Sequence, residues 1–592
     1  MHILGINAYH GDSSACILKD GKLLAAVEEE RFTRVKHWAG YPRQAIEFCL
    51  KEAGISVQEV EHIAVNRNPK ANIFEKVIYT LRRRPSLDLI KDRLRNAGKI
   101  GNIKSDLASH FGLDESALNS SIHHVEHHIA HMASSFYVSP FEESAIVSTD
   151  GFGDFVGAMW GVGNGSSMKI HERIYFPHSL GLFYLTITQY LGFPNYGDEY
   201  KVMGLAAYGK PVYLDEMHEI VALKDNGRFE LSLDFFNHAT TGISMTWENG
   251  YPEVGKAYTD HLEEALGPAR RSTELIEQRH KDLAASVQAM YEEAFFHLLN
   301  HVRDLTGSPK LSLAGGTAMN SVANGKIFNK TSFEDVYIQS AAGDAGGALG
   351  AAYYVWNEIL RQQRNFVMDA SYWGPHYSSD EIGHIVERRM RDLGEIDARI
   401  TKTDNSQELC KTVAGYIAGG AVVGWFQGKA EWGPRALGDR SILADPRRAE
   451  MKDILNARIK RRELFRPFAP SILEECTGEF FEIDYPDPFM IKVYPIKEEK
   501  RKIIPAVTHV DGTGRLQTVN RKTNPLFWHL INAFKEITGV PVLLNTSFNE
   551  NEPIVTSPEE ALETFLRTKM DVLVLGDFVI LRNGPSTPLR MD

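Results

Sequence analysis

Hydrophobic and polar positions alternate strongly from the first residues. His2 to Ala8 alternates apolar and small residues, Ser14 to Leu18 repeats the pattern, and Lys19-Asp20-Gly21-Lys22 carries an Asp-Gly hairpin signal before Leu23 to Val27 returns. This predicts three strands. The layout recurs where Ala145 to Thr149 runs into Asp150-Gly151-Phe152-Gly153-Asp154, followed by strands at Val156 to Val162 and Ile170 to Tyr175 around Gly163-Asn164-Gly165-Ser166. A strand ending near an Asp in a small-residue turn, then a hairpin, twice in one chain, predicts duplicated lobes facing a shared cleft. Two more strands, Pro309 to Leu313 and Val336 to Ser340, run into the glycine turns Ala314-Gly315-Gly316-Thr317 and Gly343-Asp344-Ala345-Gly346-Gly347.

The pattern shifts near residues 363 to 385, so a domain boundary is expected at 365/366. Beyond it, a helix at Gln407 to Ala418, a buried strand at Ala421 to Phe426 and strands at Val540 to Leu544 and Val572 to Leu581 predict a second α/β domain. At 592 residues, 43% hydrophobic and 24% charged, the chain has the makeup of a globular protein with full cores. Its net charge of −12 argues against a general nucleic-acid or membrane-surface binder. The longest apolar run, Tyr416 to Phe426, is about half the ~20 residues of a membrane span. Cys16, Cys49, Cys410 and Cys476 lack zinc or redox spacing, and no secretory signal opens the chain, so a cytoplasmic protein is expected. Arg82-Arg83-Arg84 with Lys91, Arg93 and Arg95 is read as a solvated helical insertion.

The densest chemical signal is His123-His124-Val125-Glu126-His127-His128-Ile129-Ala130-His131. His127 and His131 stand one helical turn apart and can share a metal, the competing reading being a structural pair. Asp150 and Asp344, at strand ends, would complete two nitrogens and two oxygens, a set suited to Fe(II), Mn(II) or Zn(II). The glycine turns could bring backbone N–H groups to a phosphate or serve as tight turns. The second domain concentrates Arg435, Arg440, Lys460-Arg461-Arg462, Arg466 and Arg515 beside Gly, Pro and aromatic residues, which suits a grip on a small anion.

Gly5-Ile-Asn-Ala-Tyr-His-Gly-Asp12, Glu28-Glu-Glu-Arg-Phe-Thr-Arg-Val-Lys36-His37, Glu126-His-His-Ile-Ala-His131, Asp198-Glu-Tyr-Lys-Val-Met-Gly204, Trp432-Gly-Pro-Arg435, Arg466-Pro-Phe-Ala-Pro and Leu544-Asn-Thr-Ser-Phe-Asn549 span the chain. Together they resemble the O-carbamoyltransferase family of nodulation-factor and antibiotic biosynthesis. The resemblance implies an N-terminal domain (1–365) like threonylcarbamoyl transferase, of the actin/Hsp70-like (ASKHA) superfamily, and a YrdC-like α/β domain (366–592). It implies that carbamoyl phosphate and ATP, with Mg(II), give a carbamoyladenylate and pyrophosphate, and that the carbamoyl group passes to a hydroxyl of a small natural-product or sugar acceptor. Carried over by motif, His127, His131, Asp150 and Asp344 would hold the metal, Fe(II) first among the three. Arg435, Lys460, Arg466, Arg515, Asn545 and Ser547 would hold carbamoyl phosphate and ATP, and Lys36, Gly316 and Asn320 the adenylate. His10 is the expected base for the acceptor hydroxyl. Some members have His directly before Asp, whereas Gly11 separates His10 from Asp12. A homodimer would be ordinary, and no nucleic-acid or membrane partner is expected. The alternative function is a sugar-kinase-like ATPase of the same superfamily.

Overall fold

The alternating stretches become two five-stranded sheets of one topology. In the first, β1 (His2–Asn7), β2 (Ser14–Lys19) and β3 (Lys22–Glu28) run antiparallel, and β4 (His62–Val65) and β5 (Ser121–His124) add parallel to β1, giving the order β3-β2-β1-β4-β5. The second repeats this with β6 (Glu143–Gly153), β7 (Val156–Asn164) and β8 (Ser167–Tyr175), then β9 (Lys310–Ala314) and β10 (Asp335–Ile338), in the order β8-β7-β6-β9-β10. The expected duplication is therefore a duplication of hairpin plus parallel pair. The computed structural model describes residues 1–83, 101–239, 242–243, 245–247 and 250–582. Arg84, Lys91, Arg93 and Arg95 of the basic stretch lie outside them. Among the described residues, no helix is long and apolar enough to cross a membrane.

Apolar alternation fills the first lobe: Leu4, Ile6, Ile17, Val27 and Ile63 are buried against Ile46 and Leu50 of α1 (Arg43–Ala53). The acidic run at the end of β3 makes this join. Glu29 reaches across to accept the N–H groups of Gln44 (3.1 Å) and Ala45 (2.7 Å), at the start of α1. Burial pushes this carboxyl up to about 7, although those N–H groups oppose the shift. The unfolded side chain ionises near 4.5. As pH rises between these values the folded chain keeps a proton that the unfolded chain gives up, so stability falls across that window. Glu29→Gln should therefore raise the melting temperature at pH 8, with the gain vanishing near pH 4.5; equal melting curves at pH 8 would contradict it.

Among the helices that follow are α2 (His127–Phe136), α3 (Gln278–Thr306) and α4 (Gly346–Tyr354). Helices α2 and α4 meet at backbone distance. A Cβ on Gly350 would lie 1.8 Å from the Ala130 carbonyl oxygen, and one on Gly347 2.2 Å from Asn66 Nδ2. Only glycine permits that approach.

Contacts divide the chain into two compact units, Met1–Met368 and Asp369–Asp592. The second holds a nine-stranded sheet in which β11 (Arg440–Ala444), β12 (Ala469–Leu473), β13 (Thr513–Val519) and β14 (Val542–Ser547) are adjacent in the order β11-β14-β12-β13. The expected strand from Val572 to Leu581 is two strands, β15 (Val572–Leu575) and β16 (Phe578–Arg582), paired antiparallel. Gly576, at φ 54°, supplies the left-handed residue the hairpin needs. A run of apolar residues hid the turn.

Candidate active sites

The first candidate site forms where both lobes end. His127 and His131 lie one turn apart on α2, whose first turn is fixed by Asp154 accepting the His127 N–H at 3.0 Å. Asp150 does not sit in a turn as expected: β6 continues through it to Gly153, with a break in register against β7 between Thr149 and Gly153. That irregularity re-aims the carboxylate. Asp344 precedes α4. All four side chains are buried, and one donor atom from each lies within 4.8 Å of the others. His127 Nε2 is 3.0 Å from Asp150 Oδ2 and 3.4 Å from Asp344 Oδ1; His131 Nε2 is 3.4 and 3.5 Å from the same atoms. A tetrahedron with bonds of about 2.0–2.2 Å has edges of about 3.3–3.6 Å.

The electrostatics agree with that donor set. Burial alone would raise both carboxyl groups, yet the surrounding imidazoles hold Asp150 and Asp344 well below the usual carboxylate range. Burial likewise works to lower His127, but Asp150 and Asp344 lift it to about 10, and His131 is raised as well. The two Nε2 atoms face each other at 3.0 Å, and among the described residues neither Nδ1 atom, both buried, has a hydrogen-bond partner. A divalent cation would satisfy both nitrogens and both carboxylates at once. The neighbouring His128 is different. It bonds Ser148 Oγ and Val156 O, both at 2.9 Å, and burial with the charge of His127 pushes it down to about 3. It is a structural histidine.

Asp344 faces two ways. Its Oδ1 meets the two imidazoles and its Oδ2 meets His10 Nδ1. The His10 ring stands 5.4 Å from the His127 ring and 6.3 Å from Trp247. Asp12, two residues after His10, pairs with His37 at 2.7 Å. Gly316 donates its N–H to Asp150 Oδ1 at 2.9 Å, which joins the glycine turn to the ion cage. Asn320 is engaged elsewhere: its amide pairs reciprocally with that of Gln288, and its oxygen caps the short helix Ser321–Asn324. Lys36 adjoins His37, and its charge reaches Glu30.

The second candidate site is in the C-terminal unit. Burial and the charges of Arg435, Arg462 and Arg466 together depress Arg515 well below the usual guanidinium range, so the four guanidinium groups lie within electrostatic reach of one another. Burial, together with Arg515 and Lys452, pushes His509 down to about 4 against the pull of Asp511, leaving it neutral in this field. Strand alternation builds the floor: Arg515 and Gln517 share one face of β13, and Asn545 and Ser547 one face of β14. Asn545 donates to Gln517 Oε1 (2.9 Å), Ser471 Oγ (3.0 Å) and Ala436 O (3.2 Å), which ties β14 to the loop carrying Arg435. Its Oδ1 is buried, with no hydrogen-bond partner among the described residues. Lys460 is buried, and its ammonium donates to Ser547 Oγ and to the carbonyl and side-chain oxygens of Asn549. Arg440 turns away from this cluster. It is fully buried over Phe426 and donates to Pro375 O and Gln427 O.

Gln517 and Ser471 join these sites without having been singled out by sequence, whereas Arg462 and Asn549 lay within its cationic and motif stretches. Gln517 was within reach, since it lies two residues after Arg515 on a strand. Ser471 required the strand order.

Comparison with known proteins gives a consistent result. Residues 2–353 match the family described as Carbamoyltransferase N-terminus, and residues 414–582 match Carbamoyltransferase C-terminus. The chain is 40% identical to the uncharacterized protein sll1178 of Synechocystis, covering 98% of this chain and 97% of that one. It is 41% identical to nodulation protein NolNO of Sinorhizobium fredii, over 98% of this chain and 80% of that protein. Nodulation protein NolO of Bradyrhizobium diazoefficiens is 43% identical, over 78% and 80% respectively. Among solved structures, HypF of T. kodakarensis aligns at 14% identity over 60% of this chain and 47% of that one, with a TM-score of 0.31.

Proposed function

The chain belongs to the carbamoyltransferase family, and we propose that it makes a carbamoyladenylate from carbamoyl phosphate and ATP and delivers the carbamoyl group to a hydroxyl of a small natural-product or sugar acceptor. Water takes the phosphoryl group of carbamoyl phosphate, giving carbamate and phosphate. A carbamate oxygen then attacks the α-phosphorus of ATP and expels pyrophosphate. Finally the acceptor oxygen attacks the carbamoyl carbon, its proton is taken up, and AMP leaves. Adenylation turns a poor electrophile into one with a good leaving group.

The observation that carries the reading is the buried Arg515 in the field of Arg435, Arg462 and Arg466, beside the buried Lys460. Such a concentration of positive charge suits a polyanion such as ATP with carbamoyl phosphate. Lys460, Ser547 and Asn545 border it, and this supports a YrdC-like role for the second unit. In the first unit, His127, His131, Asp150 and Asp344 would hold a divalent ion, Fe(II) being the expected one. Such an ion acts as a Lewis acid toward oxygens of the bound adenylate. Asp344 Oδ2 holds His10 by Nδ1, leaving Nε2 as the atom that takes the acceptor proton.

The test is product analysis with ATP, carbamoyl phosphate and a panel of amino sugars, nucleosides and polyols. AMP and pyrophosphate, with an added carbamoyl mass on one acceptor, are the expected products. ADP alone would point to a sugar-kinase-like ATPase instead.

A further inference from the structure

Two residues near His10 hold strained backbones and meet each other. Asp12 has φ 54° and His37 φ 55°, both left-handed and neither glycine. Their side chains join through Asp12 Oδ1 and His37 Nδ1 at 2.7 Å. Strain of this kind persists only where the surroundings overdetermine it, and here they do. Asn7 clamps the first loop by donating to Gly11 O (3.0 Å) and Asp12 O (2.9 Å). Ser13 N–H bonds Trp38 O at 2.8 Å and Tyr9 N–H bonds Gly40 O at 2.9 Å, which lashes the loop of His10 to the loop of Lys36.

A third loop closes over them. The Tyr196 ring stands edge-on to His37 at 5.4 Å, and its hydroxyl fills the space a Cβ on Gly11 would take, 2.5 Å away. Gly197, at φ 82°, lies against His37 Nε2. Charged and titratable groups face His37 from each loop: Asp12 from the first, Glu30 and Lys36 from its own, Tyr196 and Glu199 from the third. Glu30 also accepts the His37 backbone N–H at 2.8 Å. Burial opposes charge on the ring, yet Asp12 and Glu30 raise it to about 9, so the imidazole is cationic at neutral pH.

We propose that Asp12 and His37 form a charged pair of positioning residues that sets His10 and Lys36, their neighbours on the same two loops, for the transfer step. This rests on the reading given under the proposed function. The pair adds nothing to adenylate formation, which uses the arginine cluster. His10 Nδ1 faces Asp344 and Asp12 faces His37, so the pair acts on His10 through the loop that carries both.

Asp12→Asn and His37→Gln, in the full chain, should each lower carbamoylated product on a sugar of the panel by about 100-fold while leaving pyrophosphate release within about twofold. The double variant should lose no more than either single one, because both break the same link. Nitrogen NMR should find the His37 ring doubly protonated at pH 7.5 in the unaltered chain and neutral in Asp12→Asn. Product and pyrophosphate falling together, losses that multiply in the double variant, a neutral His37 ring, or a second bound ion lost with His37→Gln would each overturn the proposal. An unaltered chain that makes no carbamoylated product sinks the proposed function instead, and the imidazole spectrum still judges the pair.

Discussion

Replacing His127 with Ala should cut delivery of the carbamoyl group by about a thousandfold or more, with loss of the bound ion and with pyrophosphate release retained. The reasoning is local. His127 Nε2 is the donor nearest Asp150 and faces His131 at 3.0 Å, so its removal opens the cage and leaves two buried carboxylates with one imidazole fewer. Stripping one partner from a buried charged set costs about 3–5 kcal/mol, so the melting temperature should also fall. His131→Asn, which keeps a polar side chain, provides the second variant. Metal content per chain, measured beside the two partial reactions, decides the matter: full transfer in an ion-free His127→Ala chain would refute the assignment.

Substituting Arg515 with Met should have the opposite signature on stability and a broader one on activity. Its guanidinium is depressed by burial and by Arg435, Arg462 and Arg466, so its charge destabilises the folded chain at every pH where it stays protonated. Arg515→Met should leave the melting temperature unchanged or higher. It should also lower pyrophosphate release by about 100- to 1000-fold, since one charged hydrogen-bond partner of the polyanion is gone. The unaltered chain should gain about 2.7 kcal/mol of stability with pyrophosphate at a hundred times its dissociation constant, and the variant much less. Calorimetric melting with and without pyrophosphate reads both effects. A variant that melts lower yet releases pyrophosphate normally would assign Arg515 to structure alone.

Strand existence was legible because alternation and Asp-Gly turns are local signals: β2 and β3, joined through Asp20-Gly21, lie where the pattern puts them. Turn chemistry inside an apolar run was not legible, as Gly576 between β15 and β16 demonstrates. For the ion cage, the one-turn spacing of His127 and His131 brought two donors together in the sequence. Asp150 and Asp344, 194 residues apart, converge through the parallel pairing of β6 with β9 and β9 with β10. The partner of His10 was missed for the same reason. No partner for His10 was read from the sequence; Asp344 meets it from 334 residues away, while Asp12, left-handed at φ 54°, pairs with His37. Asn320 was named by its motif alone, and its hydrogen bonds to Gln288 and to the start of the helix Ser321–Asn324 could not be read from the sequence.

The absence of a side chain at Gly350 has a consequence for the spacing of the four-residue cluster. Helix α2 carries both imidazoles, helix α4 follows directly from Asp344, and the two backbones touch where Gly350 meets Ala130. The calibre of the cage is thus gauged from behind, by how near two rods of backbone can lie. A single methyl group there would press α2 and α4 apart and draw the imidazoles from Asp344 while leaving all four residues of the cluster in place.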